Sequence, residues 1–357
     1  MRTHSRIIKA FLLNILGLAA SVVIFPFLAL SQQVQPLRTF YHPSDIPIYS
    51  SALSPDGKMV ATTNWGTIIW DTNSGESLMT LKSPMRTTDC VAFSPDGKQI
   101  VTGDDWGLVK IWDLSTGEAI REIDFDGPEI NAPTSGPIRS VAFSATSKYL
   151  GASTASPAAV KVWDLQSGEM VFQGATREPD YLQFLPDERR ILLRDTIQNE
   201  TGANIGYQGE LWDIFSKEIE LTFEGSLAIL TSNGKLVMTY DHDDASPIYR
   251  LLWDAETGKQ LHVFRYDGRA VAFPAISPDG KMTLMCESRS VTSLIDTQTD
   301  KVLREFGNVG QPLSAHQAFS DDGRLMITVY GNTVYLWDIS DLAAGVKGQA
   351  QEYDKQE

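Results

Sequence analysis

The residues Ser-Pro-Asp-Gly-Lys occur three times, at 54–58, 94–98 and 277–281. Proline presets φ for the second corner of a tight turn, aspartate bonds the local backbone, and glycine takes positive φ at no steric cost. Each copy sits between two short apolar runs, so each joins two antiparallel strands. Relaxed versions stand at 144–148 (SATSK), 185–189 (LPDER), 231–235 (TSNGK) and 320–324 (SDDGR), which makes seven turns. A second landmark follows every turn: Trp70-Asp71, Trp112-Asp113, Trp163-Asp164, Trp212-Asp213, Trp253-Asp254, the altered pair Ile295-Asp296, and Trp337-Asp338. These landmarks are 42, 51, 49, 41, 42 and 42 residues apart. Several of the aspartates open another polar, glycine-containing reversal, as in DTNSGE, DLSTGE, DLQSGE and DAETGK. One repeat thus reads as four strands joined by three reversals. A four-stranded sheet cannot shield both of its faces, so the repeats are expected to stack on one another around a ring.

A period of about 40 to 45 residues with a Trp-Asp pair resembles the WD-repeat β-propeller family, and the resemblance covers residues 34–340. It implies an all-β fold, a seven-bladed β-propeller of four-stranded antiparallel blades. After Asp338 the chain is polar and offers no outermost strand for the seventh blade, whereas residues 36–42 (PLRTFYH) precede the first repeat without a blade of their own. That segment is expected to supply the missing strand and close the ring. The family often carries a Gly-His pair and an Asp six residues before the Trp, which bond the indole. Here the Asp position holds Asn64, Trp106, Pro157, Gly206, Pro247 and Gly331 in the Trp-bearing repeats, so apolar stacking is expected to hold the blades. The Ser-Pro-Asp-Gly turn is also favoured by TolB-like propellers; the regular Trp-Asp argues against them.

The N-terminus belongs to a different segment. A basic start is followed by residues 10–30, apolar apart from Asn14, and then by small residues that suit a cleavage site before Gln32. Residues 1–31 are expected to be a signal peptide, with an uncleaved membrane anchor as the alternative, since 21 residues also suffice to span a bilayer. Residues 32–340 then form the propeller, and 341–357 a polar, unstructured tail. Either way the folded part is expected outside the cytoplasm, periplasmic or secreted. The formal charge is −15; three of the 30 basic residues and none of the 45 acidic ones fall in the first 31, so the remainder carries about −18. That surface repels phosphate backbones and has no basic stripe, so nucleic-acid binding is not expected. Cys90 and Cys286 lie in distant apolar strands and read as two buried thiols.

No nucleophile elbow, phosphate loop, dinucleotide fingerprint, HExxH or CxxC occurs in the sequence. The expectation is a non-enzymatic, monomeric scaffold with no cofactor and no metal, binding a protein or peptide partner through the loops of one face. A catalytic, small-ligand, carbohydrate or calcium-binding propeller is the alternative. Candidate loops are 124–139, with Asp124, Asp126 and Glu129; 195–210; and 241–247, with Asp241, Asp243 and Asp244. The last group invites calcium, but its spacing fits no known loop and it reads as a solvated turn. Trp65 and Trp106 occupy matching hairpins of the first two repeats, the latter beside Asp104 and Asp105. They read either as an aromatic hot spot with an acidic rim or as rings filling space left by the missing Asp.

Overall fold

In the computed structural model the described residues are 35–82, 87–127, 136–155, 158–174, 181–198, 204–241, 248–266, 275–286, 292–306 and 317–346. The Ser-Pro-Asp-Gly turns share one hydrogen-bonding scheme. At the first, Ser54 Oγ donates to Asp56 Oδ1 (2.8 Å) and accepts from Met59 N (2.9 Å), while Asp56 Oδ1 also accepts from Lys58 N (3.1 Å). Gly57 sits at φ 71°, and its N–H closes the turn on the Ser54 carbonyl (2.8 Å). The same bonds recur around Asp96, Asp279, Asp322 and, in amide form, Asn233. Each therefore joins the first two strands of a blade.

Seven four-stranded antiparallel sheets follow, six of them in chain order from the first strand to the fourth. Blade 1 comprises Ser50–Leu53, Met59–Thr63, Thr67–Asp71 and Ser77–Leu81; blade 2, Thr88–Phe93, Gln99–Asp104, Leu108–Asp113 and Ala119–Asp124. Blade 3 comprises Ile138–Phe143, Tyr149–Ala155, Ala158–Asp164 and Met170–Gly174; blade 4, Leu182–Phe184, Arg190–Gln198, Asn204–Asp213 and Glu218–Glu224. Blade 5 comprises Ser226–Leu230, Leu236–Asp241, Ile248–Asp254 and Gln260–Tyr266; blade 6, Ala275–Ile276, Met282–Cys286, Thr292–Asp296 and Val302–Phe306. Blade 7 takes Ala318–Phe319, Leu325–Tyr330 and Thr333–Asp338 from the C-terminal side, and its outermost strand is Arg38–Tyr41. Arg38 pairs with Leu336 and Tyr41 with Thr333, flanked by bonds from Leu37 N to the Leu336 carbonyl (2.7 Å) and from His42 N to the Asn332 carbonyl (2.8 Å). The expected ring closure is thus formed. Residues 341–346, placed by sequence at the start of an unstructured tail, instead belong to a short helix, Ser340–Val346.

Rings between blades carry the packing. The Trp of one blade meets a Phe on, or just after, the fourth strand of the blade before it: Phe125 with Trp163 (5.8 Å), Phe172 with Trp212 (5.8 Å), Phe223 with Trp253 (5.9 Å) and Phe306 with Trp337 (4.8 Å). Phe40, 1% exposed, meets Trp70 at 5.9 Å, so the N-terminal strand also supplies the ring that blade 7 would otherwise lack. Beyond apolar stacking, a hydrogen bond to each of four indoles survives: Trp70, Trp112, Trp253 and Trp337 donate to Thr62, Thr102, Thr239 and Thr328, each at 2.9 Å. Trp212 donates to Glu210 Oε2 instead (2.9 Å).

Two departures from the repeat are made good by another blade or another strand. Blade 3 has Thr146 where the turn aspartate belongs. Glu188, from the corresponding turn of blade 4, accepts at Oε1 from Ser144 Oγ (2.9 Å), Thr146 N (2.6 Å) and Thr146 Oγ1 (2.6 Å). Blade 6 has Ile295 in place of Trp, so Phe264 on blade 5 has no indole to meet. The guanidinium of Arg250, fully buried, lies 5.0 Å from the Phe264 ring and forms an ion pair with Asp300. Cys90 is a buried thiol donating to the Ile138 carbonyl of blade 3 (3.4 Å), and burial pushes its ionisation up; the side chain of Cys286 lies outside the described residues.

Candidate functional site

Antiparallel order puts the turns between first and second strands, and those between third and fourth, on one face of the ring. The hairpins between second and third strands and the connections between blades share the opposite face. The turn face is occupied with its own backbone. Asp71, Asp113, Asp164, Asp213, Asp254 and Asp296, the second members of the landmark pairs, each accept at Oδ1 from the N–H groups two and three residues on, at 2.6 to 3.2 Å. Asp338 accepts from Ser340 N at 2.9 Å. These bonds to the charged form hold the Asp71, Asp113, Asp164 and Asp254 carboxyls below the usual carboxylate range.

On the hairpin face a continuous ridge crosses the first two blades. The connection from the closing strand into blade 1 is pinned by Asn64, whose Nδ2 donates to Ser44 Oγ (3.1 Å) and to the carbonyls of Ile46 and Pro47 (both 3.0 Å). His42 Nδ1 and Ser44 Oγ share a further bond (2.9 Å), and burial lowers the His42 pKa. The Asn64 carbonyl then accepts from Thr88 N (2.7 Å), and the Thr87 carbonyl accepts from Asp105 N (3.2 Å). Four chain segments are thereby stitched in sequence: 44–47, 64–66, 87–88 and 105–107. On these segments Ile46, Trp65 and Trp106 are exposed, Trp65 by 59% and Trp106 by 50%. Neither indole fills a vacated core space.

Asp104 and Asp105 divide their labour. Asp104 is 4% exposed, and its Oδ1 accepts from Trp106 N and Leu108 N (both 2.9 Å). It caps the hairpin from eight residues before Trp112, where a fixed count of six finds Trp106, because this hairpin is two residues longer than that of blade 1. The acidic rim expected from sequence loses Asp104 to this role. Asp105 keeps a buried Oδ1 with no hydrogen-bond partner. Beside it, Asp89 on the first strand is pushed up by burial and by the charges of Asp105 and Asp104, against a bond from the Thr87 hydroxyl and the charge of Arg139. Sequence reasoning did not single out Asp89 or Arg139. Each is the extra residue of a bulge in the first strand, in blade 2 between Thr88 and Cys90 and in blade 3 between Ile138 and Ser140. A bulge re-aims its side chain, and no sequence signal marks it.

Other candidates are not gathered here. Asp124 is exposed at the end of its strand and accepts from Asp126 N (3.0 Å); both lie at the start of the connection into blade 3. Asp241 ends the second strand of blade 5. Glu129, Asp243, Asp244 and most of the three candidate loops lie outside the described residues. Among the described residues no group of three His, Cys, Asp or Glu could hold a metal, and no helix is long and apolar enough to cross a membrane. Residues 10–30 lie outside them.

Comparison with known proteins agrees with this architecture. The family model described as WD domain, G-beta repeat matches residues 75–113, from the last strand of blade 1 through the Trp112-Asp113 pair. The chain is thus similar to WD-repeat proteins, with one of its seven repeats matched by that model. It is similar to meiotic recombination protein rec14 of Schizosaccharomyces pombe, with 32% identity over 36% of this chain and 40% of that protein. It is also similar to the guanine nucleotide-binding protein subunit beta of Arabidopsis thaliana, with 33% identity over 29% of this chain and 26% of that one. A longer, weaker likeness, 22% identity over 63% of this chain and 65% of the relative, links it to eukaryotic translation initiation factor 3 subunit I of Kluyveromyces lactis. The chain thus spans two fifths or less of the first two relatives. WD-repeat propellers of this kind are typically protein-interaction scaffolds.

Proposed function

We propose that this WD-repeat protein is an exported, monomeric, non-enzymatic scaffold that presents the hairpin face of blades 1 and 2 to a protein or peptide partner. The observation that carries the reading is the exposure of Trp65 and Trp106 on hairpins whose backbones are fixed by bonds from neighbouring segments. Large aromatic rings held rigidly in solvent lose little conformational entropy on binding, which is the property of interface hot spots. The apolar run at 10–30 behind a basic start supports export.

The test is a crosslinking capture from cell-envelope fractions, comparing the wild type with the Trp65→Ala/Trp106→Ala double variant. The expected result is a partner retained by the wild type and lost by the variant, while the melting temperature changes by no more than about 0.5 kcal/mol in equivalent stability. Equal capture by both proteins, or the presence of the protein in the cytosolic fraction alone, overturns the reading.

A further inference from the structure

We infer that His42 is an acid-sensitive latch on the clasp of the ring: once it takes up a proton it can no longer stay in the knot that joins the closing strand to blade 1, and the clasp opens. The chain leaves the closing strand through residues 42–49 and is held there from two sides. From blade 7, the Asn332 carbonyl accepts from His42 N (2.8 Å), Asn332 Nδ2 donates to the Ser44 carbonyl (3.2 Å), and the Gly331 carbonyl accepts from Ile48 N (2.9 Å). From blade 1, Asn64 Nδ2 donates to Ser44 Oγ and to the Ile46 and Pro47 carbonyls. His42, 7% exposed, turns its ring onto Ser44, the residue that both asparagines hold.

The bonds assign the protonation state of that ring. Ser44 N donates to His42 Nδ1 (3.4 Å), and an N–H can only donate, so Nδ1 is an acceptor and the proton of the neutral ring is on Nε2. The Ser44 hydroxyl, which accepts from Asn64, then donates to the same Nδ1 (2.9 Å). Nε2 is buried without a hydrogen-bond partner. A second proton would have to enter at Nδ1, against two donors, while no acceptor at Nε2 answers the added charge. The titratable groups on the elements that hold this segment are Tyr41, Asp45 and Tyr49 on the segment itself and Tyr330 and Tyr335 about the blade 7 hairpin; the blade 1 hairpin, Asn64 to Gly66, has none. Asp45, the one carboxylate among them, is exposed and bonds neither ring nitrogen. Burial accordingly lowers the His42 pKa, with no charge among the described residues to offset it. The proton is therefore taken up on opening, and the Asn64 side-chain bonds that steady the Trp65 hairpin are released at the same moment.

The experiment is amide hydrogen exchange on the full chain at a series of pH values from about 7.5 to about 5, with rates corrected for the intrinsic pH dependence of exchange. Below about pH 6.5, the ordinary histidine value, the opening constant of residues 36–49 should rise by up to about tenfold per pH unit, the slope of one proton gained on opening. Blades 3 and 4 should keep their protection over the same range. His42→Asn places an acceptor near the position of Nδ1 and has no proton to gain, so its clasp should open to the same extent at every pH in the series. An equal slope in the wild type and in His42→Asn, or protection of residues 36–49 that does not change with pH, overturns the latch. Should His42→Asn fail to fold, NMR titration of the His42 ring in the wild type gives the decision. A midpoint below about 6.5 is expected, and a midpoint at or above that value overturns the latch.

Discussion

The two faces of the propeller use carboxylates in opposite ways. On the turn face, Asp71, Asp113, Asp164 and Asp254 each accept two or more local donors, and their ionised form is favoured in the folded protein. On the hairpin face, Asp89 is half-buried among other acids and its ionised form is disfavoured. The first kind of carboxylate repeats at nearly every blade and is consumed in holding the chain's own reversals. The second occurs where blades 1, 2 and 3 differ from one another, at a bulge and a lengthened hairpin. Repetition here marks the scaffold, and the departures from it gather on the hairpin face.

The most severe way to break the scaffold is at its clasp. Phe40→Ala removes the ring that meets Trp70 across the blade 7 to blade 1 boundary, and should cost about 3 to 5 kcal/mol, read as a large drop in melting temperature. Deleting residues 32–43 should do more, preventing a cooperative melt. Next is Arg250→Ala, which strips the guanidinium from Phe264 and strands Asp300. A loss of about 3 kcal/mol is expected, with part of it recovered by adding Ile295→Trp, since an indole would then occupy the place it has at the other boundaries.

A smaller effect is expected at Glu188. Its removal by Glu188→Ala leaves the blade 3 turn without an acceptor and should cost about 1 kcal/mol by chemical denaturation. Thr146→Asp in the same chain should restore the loss, because aspartate at that position performs the same task in other blades. If the double variant is no better than the single, the carboxylate is not what the turn lacks.

The smallest effects separate the faces by pH. For the turn carboxylates the folded-state pKa is depressed, so their stabilisation is present above the unfolded value and lost as pH falls through the folded one; thermal stability should decline below about pH 4. Asp89 has the reverse sign. Its raised pKa means that protonation favours the folded state, so Asp89→Asn should raise the melting temperature slightly at pH 7 and lose that advantage near pH 4. A gain that persists at low pH would show that packing, not charge, distinguishes this residue.

Much of the fold was legible because its determinants are local. A turn of five residues carries its own chemistry, a Trp-Asp pair recurs at a near-constant interval, and a strandless seventh repeat beside an unassigned N-terminal segment implies closure. Some of the phenylalanines on fourth strands also left a trace: Phe223, Phe264 and Phe306 follow the landmark Trp or Ile by 11 residues, as Leu81 does in blade 1, whereas Phe125 and Phe172 do not keep that interval. The threonines beneath the indoles left less of one, since hairpin length shifts their spacing from 8 residues at Thr62 to 14 at Thr239.

From sequence alone came the number of blades, the direction of every reversal and the two tryptophans worth attention. Tertiary structure alone decided that Glu188 serves a turn in another blade, that Arg250 lies over Phe264, and that Asp104 is a cap while Asp105 is left with an unmet acceptor. These depend on which side chains meet across a blade boundary or around a bulge. Such meetings are set by the closed circle as a whole, and no interval along the chain records them.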